Sequence, residues 1–77
     1  MTRVKVKVRK PDVRVENEGT IVLVRPLTTE ARAWIDENVQ TEPWQWFGGG
    51  LAVEPRYAHD LVEGMQADGL TLAGRAA

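Results

Sequence analysis

Hydrophobic and polar residues alternate strictly at the start of the chain. In RVKVKVR, residues 3–9, valines occupy the even positions and cations the odd ones. Period-two alternation of β-branched residues with charges is typical of a half-buried strand. Lys10-Pro11 interrupts this strand, because proline cannot donate a ladder hydrogen bond. The valines return at Val13 and Val15 with the opposite parity, so we expect a bulge or a short break between the two stretches.

A second apolar run follows a predicted turn. ENEG, residues 16–19, has the composition of a turn, and Gly19 suits a positive φ. TIVLVR, residues 20–25, predicts a return strand that ends at Pro26. Because IVLV is continuously apolar, we expect a central strand that is covered on both faces, or nearly so.

Two later segments carry the period of an amphipathic helix. In the first, residues 27–39, Thr28 is placed to cap the N-terminus, and Asn38 in a left-handed conformation would end the helix. The second begins at Pro55, since proline is favoured at the first helical position, and stops at Gly69. The apolar stripes are Leu27, Ala31, Trp34, Ile35 and Val39 in the first helix and Tyr57, Ala58, Leu61, Val62 and Met65 in the second.

The segment WQWFGGGLAV, residues 44–53, joins large aromatic residues to three glycines. The glycines predict a kink or bulge in a core strand, or a place where Trp34 approaches the backbone. A phosphate-binding loop is disfavoured, because the glycines lack a GK[ST] ending and lead into a strand-like segment. Alternation places Trp44 and Trp46 on one face and Phe47 on the other. We expect Trp46 in the core and leave Trp44 open between core and interface.

These elements predict a single domain over residues 1–77. LTLA, residues 70–73, offers a final strand, and residues 74–77 form a frayed tail. The order is β-β-α-β-α-β, and helices with one apolar stripe pack on one side of a sheet. We therefore predict an α+β fold, a small two-layer sandwich with two helices on one face of an antiparallel sheet of three to five strands.

Composition excludes several kinds of chemistry. The chain contains neither cysteine nor serine, so it has no disulfide, no thiolate zinc site and no serine or cysteine nucleophile. The basic start lacks the apolar region of a signal peptide, and no apolar run approaches the roughly 18 residues that span a bilayer. We expect a soluble, cytoplasmic protein with no membrane partner.

The one histidine marks the remaining candidate for catalysis. His59 and Glu63 are four residues apart and thus neighbours on a helix, with Asp60 and Glu54 nearby, so a general base could be built there. A solvated polar face opposite the apolar stripe explains the same residues, and the spacing matches no recognised metal site. We predict no enzymatic activity, no small-molecule substrate, no cofactor and no metal.

Charge is divided unevenly along the chain. Residues 1–16 hold six cations and two acids, a net charge of +4, whereas residues 17–77 hold four arginines and nine acids, a net charge of −5. The division indicates either a partner surface or a basic strand beside acidic helices. The basic strand and the aromatic residues could together bind nucleic acid, although the acids around the aromatic segment would repel phosphate.

Residues 26–70 resemble a family of short, uncharacterised proteins of bacteria, prophages and phages. The resemblance is carried by PLTTEARAWIDENV and by WFGGGLAVEPRYAHDLVEGMQADGL, of which the second is the more distinctive. It implies neither an enzymatic activity nor a cofactor, and members often look like accessory proteins of mobile elements. Proteins of this size and source are commonly interaction proteins, and anti-CRISPR inhibitors are one such class.

We therefore expect a non-enzymatic interaction protein of a phage or mobile element. It would inhibit a host nucleic-acid-binding defence complex, such as a CRISPR effector, by blocking a basic groove with an acidic surface. The predicted partner-binding residues are exposed acids and one tryptophan: Glu30, Asp36, Glu37, Glu54, Asp60, Glu63, Asp68 and Trp44. The alternative is a nucleic-acid-binding accessory module that uses Arg3, Lys5, Lys7 and Arg9.

Overall fold

The computed structural model describes residues 11–73, which form a five-stranded sheet with two helices on one face. The predicted basic strand at 3–9 and the predicted tail at 74–77 lie outside the described residues. The α+β prediction is confirmed. The strands are β1 (Val13–Asn17), β2 (Val22–Pro26), β3 (Trp46–Phe47), β4 (Gly50–Val53) and β5 (Leu72–Ala73); the helices are α1 (Thr29–Asn38) and α2 (Pro55–Ala67), and a short 3-10 helix covers Pro43–Gln45.

The strand order is β3-β4-β2-β1-β5. The sheet is mixed, so the prediction of an antiparallel sheet is wrong in this respect, and the predicted single strand between the helices is a hairpin of two strands. The pairs β1–β2, β2–β4 and β3–β4 are antiparallel, whereas β5 runs parallel to β1. The parallel pair follows from the chain path. A helix that carries the chain across a sheet joins strands of the same direction, and α2 does this between β4 and β5. Helix α1 does the same between β2 and β3.

The hydrophobic core lies between the sheet and the two helices. Alternate residues of the strands face the helices, and within residues 11–73 no helix lies on the other face of the sheet. The buried residues are Val13, Val22, Val24, Leu51 and Val53 from the sheet and Ala31, Ile35, Val39, Ala58, Leu61 and Met65 from the helical side. The expectation that β2 is covered on both faces is wrong, because Ile21 just before it is 44% exposed and Leu23 is only half-buried.

Both helix starts and one helix end follow the predicted capping chemistry. The Thr28 hydroxyl accepts a hydrogen bond from the backbone N–H of Ala31 at 3.1 Å, and Pro55 opens α2. Gly69 has a φ of 92° and ends α2 in the left-handed conformation that favours glycine. Helix α1 ends at Asn38 as predicted, but the predicted left-handed conformation of Asn38 is wrong. No non-glycine residue between 11 and 73 has a positive φ, and the Asn38 amide instead donates to the Trp34 carbonyl at 2.9 Å.

The three glycines form a hairpin rather than a kink in one strand. Phe47 pairs with Gly50, so Gly48 and Gly49 are the two central residues of the turn between β3 and β4. Their φ values are 54° and 83°, as a type I′ hairpin turn requires. The expected approach of Trp34 to these glycines is also wrong.

Trp34 instead packs against a glycine of α2. A Cβ added at Gly64 would lie 3.2 Å from a carbon of the Trp34 ring. At Gly50 the close neighbour is Arg25, whose Cγ would lie 3.0 Å from an added Cβ. Two glycines therefore lie close to large side chains, but the pairs are Gly64 with Trp34 and Gly50 with Arg25, not the pair that the sequence predicts.

Asp12 connects the beginning and the end of the described chain. It is 6% exposed, and its carboxylate accepts from the Thr28 hydroxyl at 2.9 Å and from the backbone N–H of Thr71 at 3.0 Å. Its own backbone N–H donates to the Thr71 carbonyl at 3.0 Å. Asp12 therefore holds the start of β1 against the α1 cap and the residue that leads into β5.

Candidate partner-binding surface

One groove collects the large hydrophobic residues that the fold leaves in solvent. Within residues 11–73, the exposed large hydrophobic residues are Trp44 (73% exposed), Phe47 (55%), Ile21 (44%) and Tyr57 (43%). All four line the same groove, together with Ala52 and Glu54 among others. We call it the aromatic groove. Scattered apolar residues on a surface are ordinary, whereas a contiguous set that includes three aromatic side chains is a common feature of interaction sites.

A short 3-10 helix presents Trp44 to the groove. Pro43 begins this helix, and the Gln45 side-chain carbonyl accepts from the backbone N–H of Glu42 at 2.9 Å. The backbone N–H of Gln45 in turn donates to the Glu42 carbonyl at 2.9 Å. Trp44 and Gln45 are therefore helical instead of extended, and the strand predicted from WQWF is limited to Trp46–Phe47. Because Trp44 is in the 3-10 helix, the alternation of a strand does not determine the direction of its side chain. It lies in the groove with Phe47.

Trp46 points to the other side of the sheet and supports the core. It is half-buried against the core cluster, as predicted. Its indole N–H donates to the Thr41 hydroxyl at 3.2 Å, and the Arg32 guanidinium lies 4.2 Å from the ring centroid. The expectation that Trp44 and Trp46 share one face is therefore wrong, and only Trp44 is free to contact a partner.

The remaining walls of the groove come from the ends of β4 and the start of α2. Glu54 follows the last residue of β4, and Pro55 turns the chain into α2, which places Tyr57 in the first helical turn. Val22 pairs with Val53, so Ile21, which directly precedes β2, lies beside Glu54. Residues from three separate parts of the sequence thus meet at this one place.

The glycine turn is held by an arginine of the sheet. The Arg25 guanidinium donates to the Gly48 carbonyl and forms an ion pair with Glu16 at 3.1 Å. The turn therefore exposes a carbonyl group to a protein cation. A loop that cradles phosphate would instead direct its N–H groups at an anion. This arrangement supports a structural role for the glycines, which fix the hairpin that carries Phe47.

The predicted acids are exposed, but they do not form one site. Of the seven, only Glu54 lines the aromatic groove. Asp36 pairs with Arg32 at 3.2 Å, and Asp68 accepts from the Trp34 indole N–H at 2.6 Å. The other acids lie on the solvent-exposed sides of the helices: Glu30 and Glu37 on α1 and Asp60 and Glu63 on α2.

The part of the chain that the structure describes is strongly acidic as a whole. Residues 11–73 hold eleven acids and four arginines, a net charge of −7. Residues 1–10 hold five cations and no acid. The predicted nucleic-acid-binding residues Arg3, Lys5, Lys7 and Arg9 are among these cations and lie outside the described residues.

His59 stands in an open cluster on α2. Its ring nitrogens lie 3.8 Å from the Asp60 carboxylate and 3.5 Å from the Glu63 carboxylate. The three side chains are 66–71% exposed, and their ligand atoms lie within 4.8 Å of one another. Such an exposed arrangement is also what a solvated helix face gives, and Glu54 is not part of it.

Two residues of the groove are predictable from the sequence, and the others are not. Trp44 and Glu54 are among the predicted partner-binding residues, whereas the sequence pattern places Ile21, Phe47 and Tyr57 in strands or in an apolar stripe. A signal for Tyr57 exists, since it precedes Ala58 at the edge of the α2 stripe. Nothing in the local sequence signals Ile21, because its exposure depends on both helices lying on the opposite face of the sheet.

Among residues 11–73, no helix has the length and apolar character that a membrane span requires. Comparison of the chain with protein-family models, with curated proteins and with solved structures found no match. The family resemblance of residues 26–70 stays a prediction.

Proposed function

We propose that this chain is a non-enzymatic protein that acts by binding a protein partner through the aromatic groove. The observation that supports the proposal is the meeting of Ile21, Trp44, Phe47 and Tyr57 in one groove. Tryptophan and tyrosine are the side chains that most often dominate the energy of protein interfaces. Apolar surface in water is unfavourable in free energy, so burying the three exposed aromatic rings against a partner would stabilise the complex.

The charge of residues 11–73 favours a basic partner surface. A body with a net charge of −7 attracts cationic surfaces, which increases the rate of encounter, while the aromatic anchors supply affinity. Glu54 places one acid in the groove itself, where it can pair with a cation of the partner. The basic groove of a host nucleic-acid-binding defence complex, including a CRISPR effector, has this chemistry. Occupying such a groove would inhibit the complex.

Affinity capture with matched variants tests this proposal. The tagged full chain is incubated with nuclease-treated lysate of the bacterial host, so that nucleic acid cannot bridge bait and prey. Trp44→Ala should weaken capture of a specific partner by roughly tenfold or more, because it removes an exposed anchor. His59→Ala, also at an exposed position, is the control and should retain the partner. A partner held equally by both variants would place the interface elsewhere.

A functional assay tests the inhibitor class. An active CRISPR strain that expresses the chain is challenged with phage, and the same strain with Trp44→Ala serves as comparison. Loss of immunity with the wild-type chain, restored by Trp44→Ala, is the expected result. Unchanged immunity across several CRISPR types would exclude CRISPR effectors as the partner. The protein captured in the first experiment would then indicate the function.

A further inference from the structure

We propose that the aromatic groove binds an arginine side chain, which the protein partner presents from its surface. The inference rests on the proposed function, since both use the same groove, and it names the chemical group that the groove recognises. That group is a guanidinium, because the groove combines aromatic faces with one carboxylate.

A small residue of β4 gives the groove its depth. Ala52 lies on the face of the sheet that points away from the helices, since the residues before and after it are buried in the core. The larger side chains of Trp44, Phe47 and Tyr57 line the groove with it, and the space between them is about 380 Å³. This volume is near the lower end of the range for ligand pockets. The groove therefore suits a single long side chain of a partner.

The charges around the groove favour a cation. No lysine or arginine lines it, and its one charged side chain is Glu54. Glu54 stands at the N-cap position of α2, but its side chain makes no capping hydrogen bond. Within residues 11–73 the Glu54 carboxylate also takes part in no ion pair. The faces of the aromatic rings are themselves electronegative, so a cation is attracted to the groove and an anion is repelled.

Arginine matches both parts of the groove. Its planar guanidinium stacks on aromatic faces and can donate two parallel hydrogen bonds to one carboxylate. The lysine ammonium is compact and more strongly hydrated, so it loses more on leaving water. The chain uses the same contact elsewhere, where the Arg32 guanidinium lies 4.2 Å from the centroid of the Trp46 ring. Among the described residues, no cation lies over the Trp44 ring in this way.

NMR titration of the full chain with short peptides tests the inference. The probe is a Gly-Arg-Gly peptide with blocked ends, and its control contains citrulline, which has the shape of arginine without the charge. The arginine peptide should shift the signals of Phe47 and Tyr57 saturably, with a dissociation constant on the order of 1 mM. The citrulline peptide should bind at least about fivefold more weakly, because the aromatic faces and Glu54 attract the positive charge.

Three variants connect this binding to the groove. Glu54→Gln should weaken binding of the arginine peptide by roughly fivefold. Glu63→Gln makes the same change at an exposed position outside the groove and should leave binding unchanged. Trp44→Leu keeps an apolar side chain but removes the aromatic face, and should weaken binding by roughly threefold or more. No saturable shift with the arginine peptide, equal affinity for both peptides, or equal effects of Glu54→Gln and Glu63→Gln would overturn the inference.

The capture experiment separates this inference from the proposed function. Glu54→Gln should weaken capture of the partner that depends on Trp44. A partner that Trp44→Ala loses and Glu54→Gln retains would support the proposed function and overturn the inference. A groove that prefers the arginine peptide to the citrulline peptide, in a chain whose partner does not depend on Trp44, would support the arginine site and contradict the proposed function.

Discussion

Asp12 shows how one side chain can join elements that are distant in sequence. Its partner Thr71 is 59 residues away, and Thr28 belongs to the cap of α1. A buried carboxylate is costly to bring out of water, so its hydrogen bonds determine whether it stabilises the fold. Because Asp12 accepts from both residues, their polar groups depend on it.

We predict that Asp12→Ala lowers the free energy of unfolding by about 2–4 kcal/mol. The substitution removes a buried hydrogen-bonded carboxylate and leaves the Thr71 N–H and the Thr28 hydroxyl without that acceptor. Urea denaturation of the full chain measures the change. Asp36→Ala removes an acid from an exposed ion pair and is the matched control. It should change the free energy of unfolding by less than about 1 kcal/mol. A similar loss in both variants would contradict the role of Asp12.

At the scale of elements, the hairpin β3–β4 places Phe47 in the aromatic groove. Its turn depends on two consecutive glycines with positive φ. An added Cβ at Gly49 would meet no atom within 4 Å, so a substitution there tests backbone conformation without steric contact.

Gly49→Val should destabilise the chain by about 1–2 kcal/mol, because a β-branched residue is strained in the left-handed region. Gly49→Asn should cost distinctly less, since asparagine tolerates that region and occurs in such turns. Thermal unfolding monitored by circular dichroism gives both values. Equal melting temperatures for the two variants would show that the turn does not need a positive φ at this position.

The elements that could be predicted are those specified by local chemistry. Thr28, Pro55 and Gly69 set helix boundaries through their own hydrogen bonds and dihedral angles, so the sequence was sufficient for them. The parallel β1–β5 pair was not predicted, because it depends on where α2 returns the chain. The same holds for Gly64 against Trp34 and for Gly50 against Arg25, which are contacts between separate elements.

The candidate site was predictable only in part for a related reason. Trp44 and Glu54 stand out as a large aromatic residue near glycines and an acid before a helix. The exposure of Ile21 and Phe47 follows from tertiary structure, since both helices cover the opposite face of the sheet. An apolar residue in a strand is assigned to the core until the covered face is known.

At the scale of the whole molecule, charge separates the basic residues 1–10 from the acidic residues 11–73. The nucleic-acid-binding alternative assigns binding to residues 1–10 alone. Residues 11–73, with a net charge of −7, repel phosphate at the low ionic strength where nonspecific binding is strongest.

We therefore predict that the full chain does not bind duplex or single-stranded DNA at about 50 mM salt. Fluorescence anisotropy of labelled oligonucleotides measures this directly. Binding that weakens steeply as salt increases, and that disappears when Lys5 and Lys7 are changed to glutamate, would support the alternative instead.

The parallel pairing of β1 with β5 has a mechanical consequence. These strands are the first and the last of the described chain, and they are neighbours. Tension applied at the two ends therefore pulls them in opposite directions along their length. Their hydrogen bonds, with those of Asp12, then bear the load together in shear instead of opening one after another. A chain held between two attachment points on either side of residues 11–73 would resist extension where β1 pairs with β5.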